Sequence, residues 1–266
     1  MSIYNLPIIS QEEAGRRTHK LVLRAPELAG ACAPGQFVHV LCGTYHDPLL
    51  RRPISVHNAD VKEGTITLLY EVKGRGTALL AAKRPGEYAN VFGPLGQGFK
   101  LPNTCGSPIL LLGGGIGSAP LYFLARRISE TVGCQTSTFM LGAQNCDSMV
   151  CREEFAALGP DIRLATDDGS LGCRGFVTEL FAEYLASSKS SAPPLVYACG
   201  PTPMLKAVAL IANKHNLPCQ VSLEAKMACG VGACMSCVVR VKDGGGEKYV
   251  RCCKEGPVFD AKEVVW

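Results

Sequence analysis

The sequence predicts a protein of three parts: an N-terminal antiparallel Greek-key β-barrel, a Rossmann-like parallel sheet covered by helices, and a small C-terminal module. Three observations support this fold class. Turn signals separate short strand-like runs in the first part, strands and helices alternate in the second, and cysteines cluster in the third. We expect the parts to span residues 1–102, 103–225 and 226–266.

The barrel prediction depends on short strands that are bounded by turns. Residues 36–41 form an apolar run entered from Pro34–Gly35, and in 65–72 every second residue is apolar on one face. Turn signals recur at Glu63–Gly64, Pro85–Gly86 and Gly93–Pro94. Intervals of this kind are typical of a closed barrel.

The middle of the chain alternates between strand-like and helix-like runs. Residues 109–112 are apolar, the glycine-rich run 113–117 follows, and apolar residues then recur with helical period up to Ile128. Further strand-like runs lie at 136–141, 162–166, 195–199 and 221–223, and helical runs at 177–186 and 204–214. This alternation indicates a parallel sheet covered by helices.

The composition favours a folded protein and gives no sign of nucleic-acid or membrane binding. Of 266 residues, 47% are hydrophobic and 19% are charged, which is enough apolar material for a packed core. The net charge of +4 is spread along the chain and forms no basic block. The most apolar stretch, 109–125, contains glycines and Pro120 and is short for a membrane span. Residues 1–10 lack the features of an export signal, so we expect a soluble, cytoplasmic protein.

Five of the fourteen cysteines cluster near the C-terminal end. Three form a C-x4-C-x2-C pattern and two follow after a hairpin-length gap: Cys229, Cys234, Cys237, Cys252 and Cys253. The pattern has the local spacing of plant-type 2Fe–2S sites, and Gly230 and Gly232 let backbone amides approach the cluster. A structural zinc site is the alternative, but zinc sites usually pair two C-x2-C arms. Spacing alone leaves the fourth ligand open between the last two cysteines.

Two motifs in the barrel part have the residue types of a flavin site. In Arg52-Pro53-Ile54-Ser55, the arginine can bind a phosphate through two hydrogen bonds, and the hydroxyl can lie against the isoalloxazine edge. In Gly74-Arg75-Gly76-Thr77, glycines precede a predicted helix over 77–83 and can direct amides at a pyrophosphate. The alternatives are a surface arginine before a strand and an ordinary glycine turn.

Three turns in the middle part suit a nicotinamide dinucleotide. Gly113-Gly114-Gly115-Ile116-Gly117 joins a strand to a helix, as a dinucleotide-binding turn does, although it departs from the regular GxGxxG pattern. Cys199-Gly200-Pro201 repeats this arrangement after a later strand. Asp168 also follows a strand, and its charge suits ribose hydroxyls and repels a 2′-phosphate, which favours NAD over NADP. In each case a tight turn without a ligand is the alternative.

The order of these motifs resembles one known family. RRPIS, YEVKGRGT, FGPLGQGF, LLGGGIGSAPL, ATDDGS, YACGPTPML and SLEAKMACGVGACMSC follow one another as in the iron–sulfur electron-transfer subunit of class 1B dihydroorotate dehydrogenase, a member of the ferredoxin–NADP reductase superfamily. The resemblance covers nearly the whole chain, including the terminal EGPVF. It implies an FAD-binding barrel, a nicotinamide domain and a terminal 2Fe–2S module.

The resemblance also implies contacts of individual residues. FAD contacts would fall on Arg52, Pro53, Ile54, Ser55, Leu69, Tyr70, Glu71, Gly76 and Thr77. Cluster ligands would fall on Cys229, Cys234 and Cys237, and the fourth, three residues before the glycine of GPVF, on Cys253. The family usually has a non-ligand at the position of Cys252.

By the same resemblance, the partner is an FMN-containing catalytic subunit that oxidises dihydroorotate to orotate, in a heterotetramer with two copies of each chain. Electrons would pass from FMN through the cluster and FAD to NAD⁺, as a step of pyrimidine biosynthesis. FAD converts between one-electron and two-electron transfer. We therefore expect no catalytic acid or base in this chain.

Two other functions remain possible from the sequence. The first is a flavin and iron–sulfur reductase subunit of an anaerobic hydrogenase, sulfide dehydrogenase or transhydrogenase complex. In bifurcating transhydrogenases, which this chain also resembles, an aspartate tends to replace the first cysteine ligand, so Cys229 argues against that group. The second is a redox sensor or scaffold without turnover, against which the intact GGGIG and CGP turns argue.

Overall fold

The structure is a computed structural model that describes residues 1–44, 46–102, 106–132, 137–159, 161–188, 190 and 192–266. Side chains are described for the same residues apart from that of residue 132.

The N-terminal part is a closed barrel of six antiparallel strands, as the sequence predicts. The strands are β1 (Ser2–Gly15), β2 (Thr18–Arg24), β3 (Phe37–Leu41), β4 (Arg52–Asp60), β5 (Thr65–Glu71) and β6 (Tyr88–Leu95), in the order β1-β2-β5-β4-β3-β6. Ile66, Leu68 and Tyr70 enter the barrel core, as the alternation in β5 requires. Two short helices, α1 (Pro26–Ala31) and α2 (Arg75–Ala81), follow β2 and β5.

The middle part is a sheet whose central strands are parallel. Its strands are β7 (Ile109–Gly114), β8 (Ser137–Ala143), β9 (Asp161–Thr166), β10 (Cys173–Arg174), β11 (Leu195–Cys199) and β12 (Cys219–Ser222). The helices are α3 (Ser118–Val132), α4 (Arg152–Ala156), α5 (Val177–Ser187) and α6 (Thr202–Lys214). Because β7 and β11 are neighbours, the turns that follow them meet at one edge of the sheet.

The C-terminal part is tied to the sheet. A hairpin of β13 (Val238–Asp243) and β14 (Gly246–Arg251) follows the first three clustered cysteines. The last strand, β15 (Val258–Asp260), then pairs antiparallel with β12 and extends the parallel sheet. Cys237, Cys252 and Cys253 accordingly belong to the same hydrophobic core as the nicotinamide-side strands.

A polar contact joins the barrel to the sheet. Nδ1 of the buried His57 donates to the backbone oxygen of Ala119 at 2.9 Å, and its Nε2 lies 3.3 Å from Oε2 of Glu154. The other oxygen of Glu154 accepts from Nζ of Lys20 at 2.5 Å. Strands β2 and β4 are thus connected to helix α4.

No helix among the described residues has both the length and the hydropathy needed to cross a bilayer.

Candidate functional site

The first candidate site is the cluster loop, residues 228–237, together with the return segment that carries Cys252 and Cys253. The loop contains three residues of positive φ, Gly230 (72°), Gly232 (82°) and Met235 (57°). These angles turn backbone amides inward, so that the N–H groups of Val231 and Cys234 donate to Sγ of Cys229 at 3.5 and 3.4 Å. Such N–H···S bonds stabilise the thiolates that iron requires.

The electrostatics of Cys229 agree with a thiolate ligand. Burial opposes ionisation of its thiol, but hydrogen bonds from the backbone of Val231 and Cys234 outweigh that effect and lower its pKa to about 6. The loop conformation therefore prepares an anionic sulfur in the protein alone.

The two late cysteines differ in what they contact. The buried thiol of Cys252 donates to the backbone oxygen of Leu223 at 3.4 Å, and burial raises its pKa to about 12. The backbone N–H of Cys253 instead donates to Sγ of Cys237 at 3.4 Å. The Cys253 thiol lies near Cys237, Gly232 and Cys229, and burial together with Cys237 raises its pKa to about 12 as well, so the contacts and not the pKa values distinguish the two cysteines. These contacts favour Cys253 over Cys252 as the fourth ligand.

Arg251 connects the return segment to the loop. Arg251 donates from Nε to Glu255 at 2.9 Å and from Nη1 to the backbone oxygen of Gly232 at 3.0 Å. Hydrogen bonding to Arg251 holds the pKa of Glu255 at about 2. A side chain at position 232 would collide with Lys254, since a Cβ there would lie 2.8 Å from its Cδ.

The spread of the cysteines fits a two-iron cluster better than zinc. Zn–S bonds of about 2.3 Å in a tetrahedron would place all four sulfurs within about 4 Å of one another. Among the described residues, the one group of three or more candidate ligand atoms within 4.8 Å of each other is His57, Cys151 and Glu154. The clustered cysteines therefore do not converge on a single point, whereas two bridged irons need only two sulfurs each.

The second candidate site is the flavin cradle, the contact between Arg52 and Gly76. An ideal Cβ at position 76 would lie 2.7 Å from Nε of Arg52, so only glycine lets the guanidinium lie over the start of α2. The guanidinium also donates to the backbone oxygen of Leu50 at 2.6 Å. The barrel thus joins the two motifs that the sequence singled out, and it presents a cation beside glycine amides, a combination suited to a pyrophosphate.

The other residues predicted to contact FAD differ in where their side chains lie. The side chains of Ile54 and Tyr70 lie in the barrel core, and the Tyr70 hydroxyl accepts from Gln11 at 2.6 Å. Thr77 is engaged locally, because its hydroxyl accepts from the N–H of Lys73 at 3.0 Å and donates to the backbone oxygen of Gly74. Any flavin contact of Ile54 or Tyr70 would therefore use the main chain.

The remaining flavin candidates lie outside the barrel core. Pro53 is exposed and Ser55 is half-buried on the outer face of β4. Leu69 packs against Ala119 and Val150 between barrel and sheet, and Glu71 pairs with Lys73 at 3.6 Å.

The third candidate site is the nicotinamide cradle, formed by the turns 113–117 and 199–201. A Cβ on Gly117 would lie 2.5 Å from the backbone oxygen of Cys199, and one on Gly114 would lie 2.9 Å from Cδ of Pro201. Gly115 has a φ of 53° and open space around its Cα. The two turns therefore contact each other through glycines and leave backbone groups accessible at the strand ends, where ligands of such sheets bind.

Asp168 lies apart from that cradle. It follows β9, which β8 separates from β7. Its carboxylate accepts from the N–H and hydroxyl of Ser170 at 2.9 and 2.6 Å, which lowers its pKa. Asp168 is exposed at the carboxyl edge of the sheet, so a ribose contact there stays a prediction.

Sequence reasoning overlooked His39. It lies in β3 between Val38 and Val40, and both valines enter the barrel core. The sequence FVHVL contained the signal, because a polar residue at alternate register in a buried strand must face another element. That element is the cluster loop, since a Cβ on Gly230 would lie 2.8 Å from Cε1 of His39.

Comparison with known proteins identifies the family. Residues 224–265 match the model of the iron–sulfur cluster binding domain of dihydroorotate dehydrogenase B, and residues 111–209 match the oxidoreductase NAD-binding domain. The dihydroorotate dehydrogenase B (NAD(+)) electron transfer subunit of Desulforamulus reducens is 40% identical over 264 residues, which are 99% of this chain and 98% of that protein. The chain belongs to this family of electron transfer subunits. The corresponding subunit of Bacillus caldolyticus is 44% identical over 261 residues, 98% of this chain and 97% of that one.

Solved structures agree with the assignment. A structure described as an NADH-dependent reduced ferredoxin–NADP oxidoreductase, studied for flavin-based electron bifurcation, superposes with a TM-score of 0.84 at 30% identity and covers 98% of this chain and 90% of that one. A Neisseria gonorrhoeae ferredoxin NADP⁺ reductase with bound FAD and NADP has a TM-score of 0.66 at 18% identity, covers 80% of this chain and 92% of that one, and shows the shared fold. The predicted fold class and oxidoreductase function are confirmed, and the matching family models confirm an iron–sulfur cluster binding domain and an NAD-binding domain.

Proposed function

We propose that this chain carries electrons from the FMN of a dihydroorotate-oxidising catalytic subunit, through a 2Fe–2S cluster and FAD, to NAD⁺ in pyrimidine biosynthesis. In this function, Cys229, Cys234, Cys237 and Cys253 bind the cluster. The flavin cradle binds FAD, and the nicotinamide cradle binds NAD. The partner of this chain is the catalytic subunit, with two copies of each chain in a cytoplasmic heterotetramer.

The observation that carries the proposal is the position of the cluster loop beside the flavin motif of β4, residues 52–55. Strands β3 and β4 pair His39 with Pro53 and Phe37 with Ser55, so these four side chains share the outer face of the barrel. Gly230 contacts His39 on that face, while Cys234 on the same loop is exposed. A cluster held here would have the flavin motif on one side and the protein surface on the other, as a relay requires.

The residues of this chain would bind, orient and shield. Arg52 neutralises phosphate charge, and the glycines of the nicotinamide cradle let a dinucleotide approach the backbone. Backbone N–H groups of the cluster loop stabilise thiolate charge. When bound, the flavin supplies hydride exchange with nicotinamide and one-electron exchange with the cluster. No acid or base of this chain is needed, because the pyrimidine chemistry takes place on the partner.

The rival function in a transhydrogenase-type complex is not favoured. The bifurcating reductase structure is 30% identical to this chain, whereas the dihydroorotate dehydrogenase B subunits reach 40–44% over almost the full length. In addition, this chain has a cysteine at position 229, where bifurcating transhydrogenases tend to have an aspartate.

A coupling assay tests the proposal. The isolated chain should reduce artificial acceptors with NADH and show no oxidation of dihydroorotate. Mixed with an FMN-containing catalytic subunit, it should support orotate formation with stoichiometric NADH. Oxidation of dihydroorotate by the isolated chain, or no NAD⁺ reduction in any mixture, would contradict the proposal.

A further inference from the structure

His39 lies between the flavin motif and the cluster loop, and the proposed electron transfer assigns it no role. Its side chain is 1% exposed. Neither ring nitrogen has a hydrogen-bond partner among the residues that the structure describes. A buried polar group without a partner costs about 1–3 kcal/mol, so a histidine kept in this state needs an explanation.

The ring of His39 lies against the cluster loop. An ideal Cβ on Gly230 would lie 2.8 Å from Cε1, 3.0 Å from Nδ1 and 3.1 Å from Nε2 of His39. These nearly equal distances place that Cβ over the face of the ring at its Cε1 end, so the imidazole lies directly against the residue that follows the candidate ligand Cys229. Phe37 closes another side of the ring at a centroid distance of 5.7 Å.

The protonation state of the His39 ring determines which hydrogen bonds it can make. Burial lowers the pKa of His39 to about 4, and the positive charge of Arg51 adds to this effect. The imidazole is then neutral near pH 7, with one N–H to donate. A thiolate or a sulfide of a cluster is an acceptor, and a buried environment strengthens such a bond.

We propose that His39 is a positioning residue that donates an N–H···S hydrogen bond to a sulfur atom of the cluster bound at Cys229. The inference rests on the proposed 2Fe–2S site and adds to it a residue from the flavin barrel. An N–H dipole directed at the cluster stabilises its reduced form, which carries one more negative charge, and so raises its reduction potential. The barrel would thereby set the potential of the relay that it adjoins.

Gly230 supports this arrangement independently of the ring nitrogens. Its φ of 72° and the 2.8 Å approach of His39 each exclude a side chain, so the loop is shaped to admit the imidazole. A phenylalanine at position 39 would fill the same space without a donor. Glutamine would restore a donor on a flexible chain.

The test compares three variants of the full chain loaded with its cofactors. His39→Phe should shift the cluster reduction equilibrium about tenfold toward the oxidised form, about 59 mV for a one-electron couple, because one hydrogen bond is lost. His39→Gln should recover most of that shift. His57→Phe, which removes the other buried histidine of the barrel, should leave the cluster potential unchanged.

Pulsed EPR of the reduced wild-type protein, labelled with ¹⁵N in its histidine rings, gives a readout that needs no variant to fold. It should detect coupling between a histidine nitrogen and the cluster spin. An unchanged potential in His39→Phe, equal shifts in the Phe and Gln variants, or no histidine coupling in the wild type would overturn the inference. A shift confined to the flavin potential would overturn it as well. These results leave the proposed function standing if iron and labile sulfide are present, whereas a protein that binds no cluster refutes that function instead.

Discussion

The cluster loop takes three of its four candidate ligands from one short stretch of sequence, whereas the flavin cradle joins Arg52 and Gly76 from separate elements of the barrel. In the loop, the thiolates of the cysteine side chains would bind the iron. In the cradle, Arg52 and backbone amides would bind the phosphates, because the side chains of the other predicted residues Ile54 and Tyr70 lie in the barrel core. Substitutions should therefore act in an all-or-none manner at the loop and by degree at the cradle.

The largest effect is expected from the two adjacent cysteines. Cys253→Ser should abolish or strongly change the EPR signal of the reduced cluster, because serine replaces a candidate iron ligand. Cys252→Ser is the matched control: its thiol donates to the backbone oxygen of Leu223, so the cluster signal should persist. Iron content and EPR of both variants check this. The opposite pattern would give the ligand role to Cys252.

A graded effect is expected at the flavin cradle. Arg52→Ala removes a charge-assisted phosphate contact worth about 1.5–3 kcal/mol and should weaken FAD retention by roughly tenfold or more with the fold intact. Arg24→Ala serves as the control, since this exposed arginine of the same barrel contacts only the Glu63 backbone among the hydrogen bonds described. Flavin release during dialysis, followed by fluorescence, measures the difference. Full retention in the Arg52 variant would mean that the motif has another role.

The smallest effect concerns the contact between barrel and sheet. Burial of the Glu154 carboxyl opposes its ionisation, but hydrogen bonds and charges from His57 and Lys20 outweigh burial and hold its pKa at about 2. A carboxyl whose pKa is depressed on folding stabilises the protein above its unfolded-state pKa, and that contribution is lost as the pH falls toward the folded value.

Glu154→Gln should therefore lower the free energy of unfolding at pH 7 by about 1 kcal/mol, a value reduced for partial exposure. The deficit should shrink as the pH falls from about 4.5 toward 2. Urea unfolding at several pH values measures it, with the exposed Glu153→Gln as control. A deficit independent of pH would show that the charge of Glu154 does not act in this contact.

The same contrast explains what the sequence could predict. The barrel and the strand–helix alternation follow from local periodicity and turn residues, and both are present; a hairpin also fills the hairpin-length gap between Cys237 and Cys252. The pairing of β15 with β12 could not be predicted, because a three-residue strand has no periodicity of its own and its partner is distant in sequence. The alternation in FVHVL indicates that His39 faces away from the barrel core, but its contact with Gly230 could not be predicted because the two residues are distant in sequence.

The central claim is that this one chain connects nicotinamide, flavin and cluster. Anaerobic titration of the purified chain with NADH, with flavin absorbance and cluster EPR recorded alongside iron and acid-labile sulfide analysis, tests it most directly. The account predicts one FAD and two irons per chain, flavin bleaching, and a reduced-cluster signal that appears only when flavin is bound. Stoichiometric zinc in place of iron, or a bleached flavin beside a cluster that stays oxidised at every NADH concentration, would contradict it.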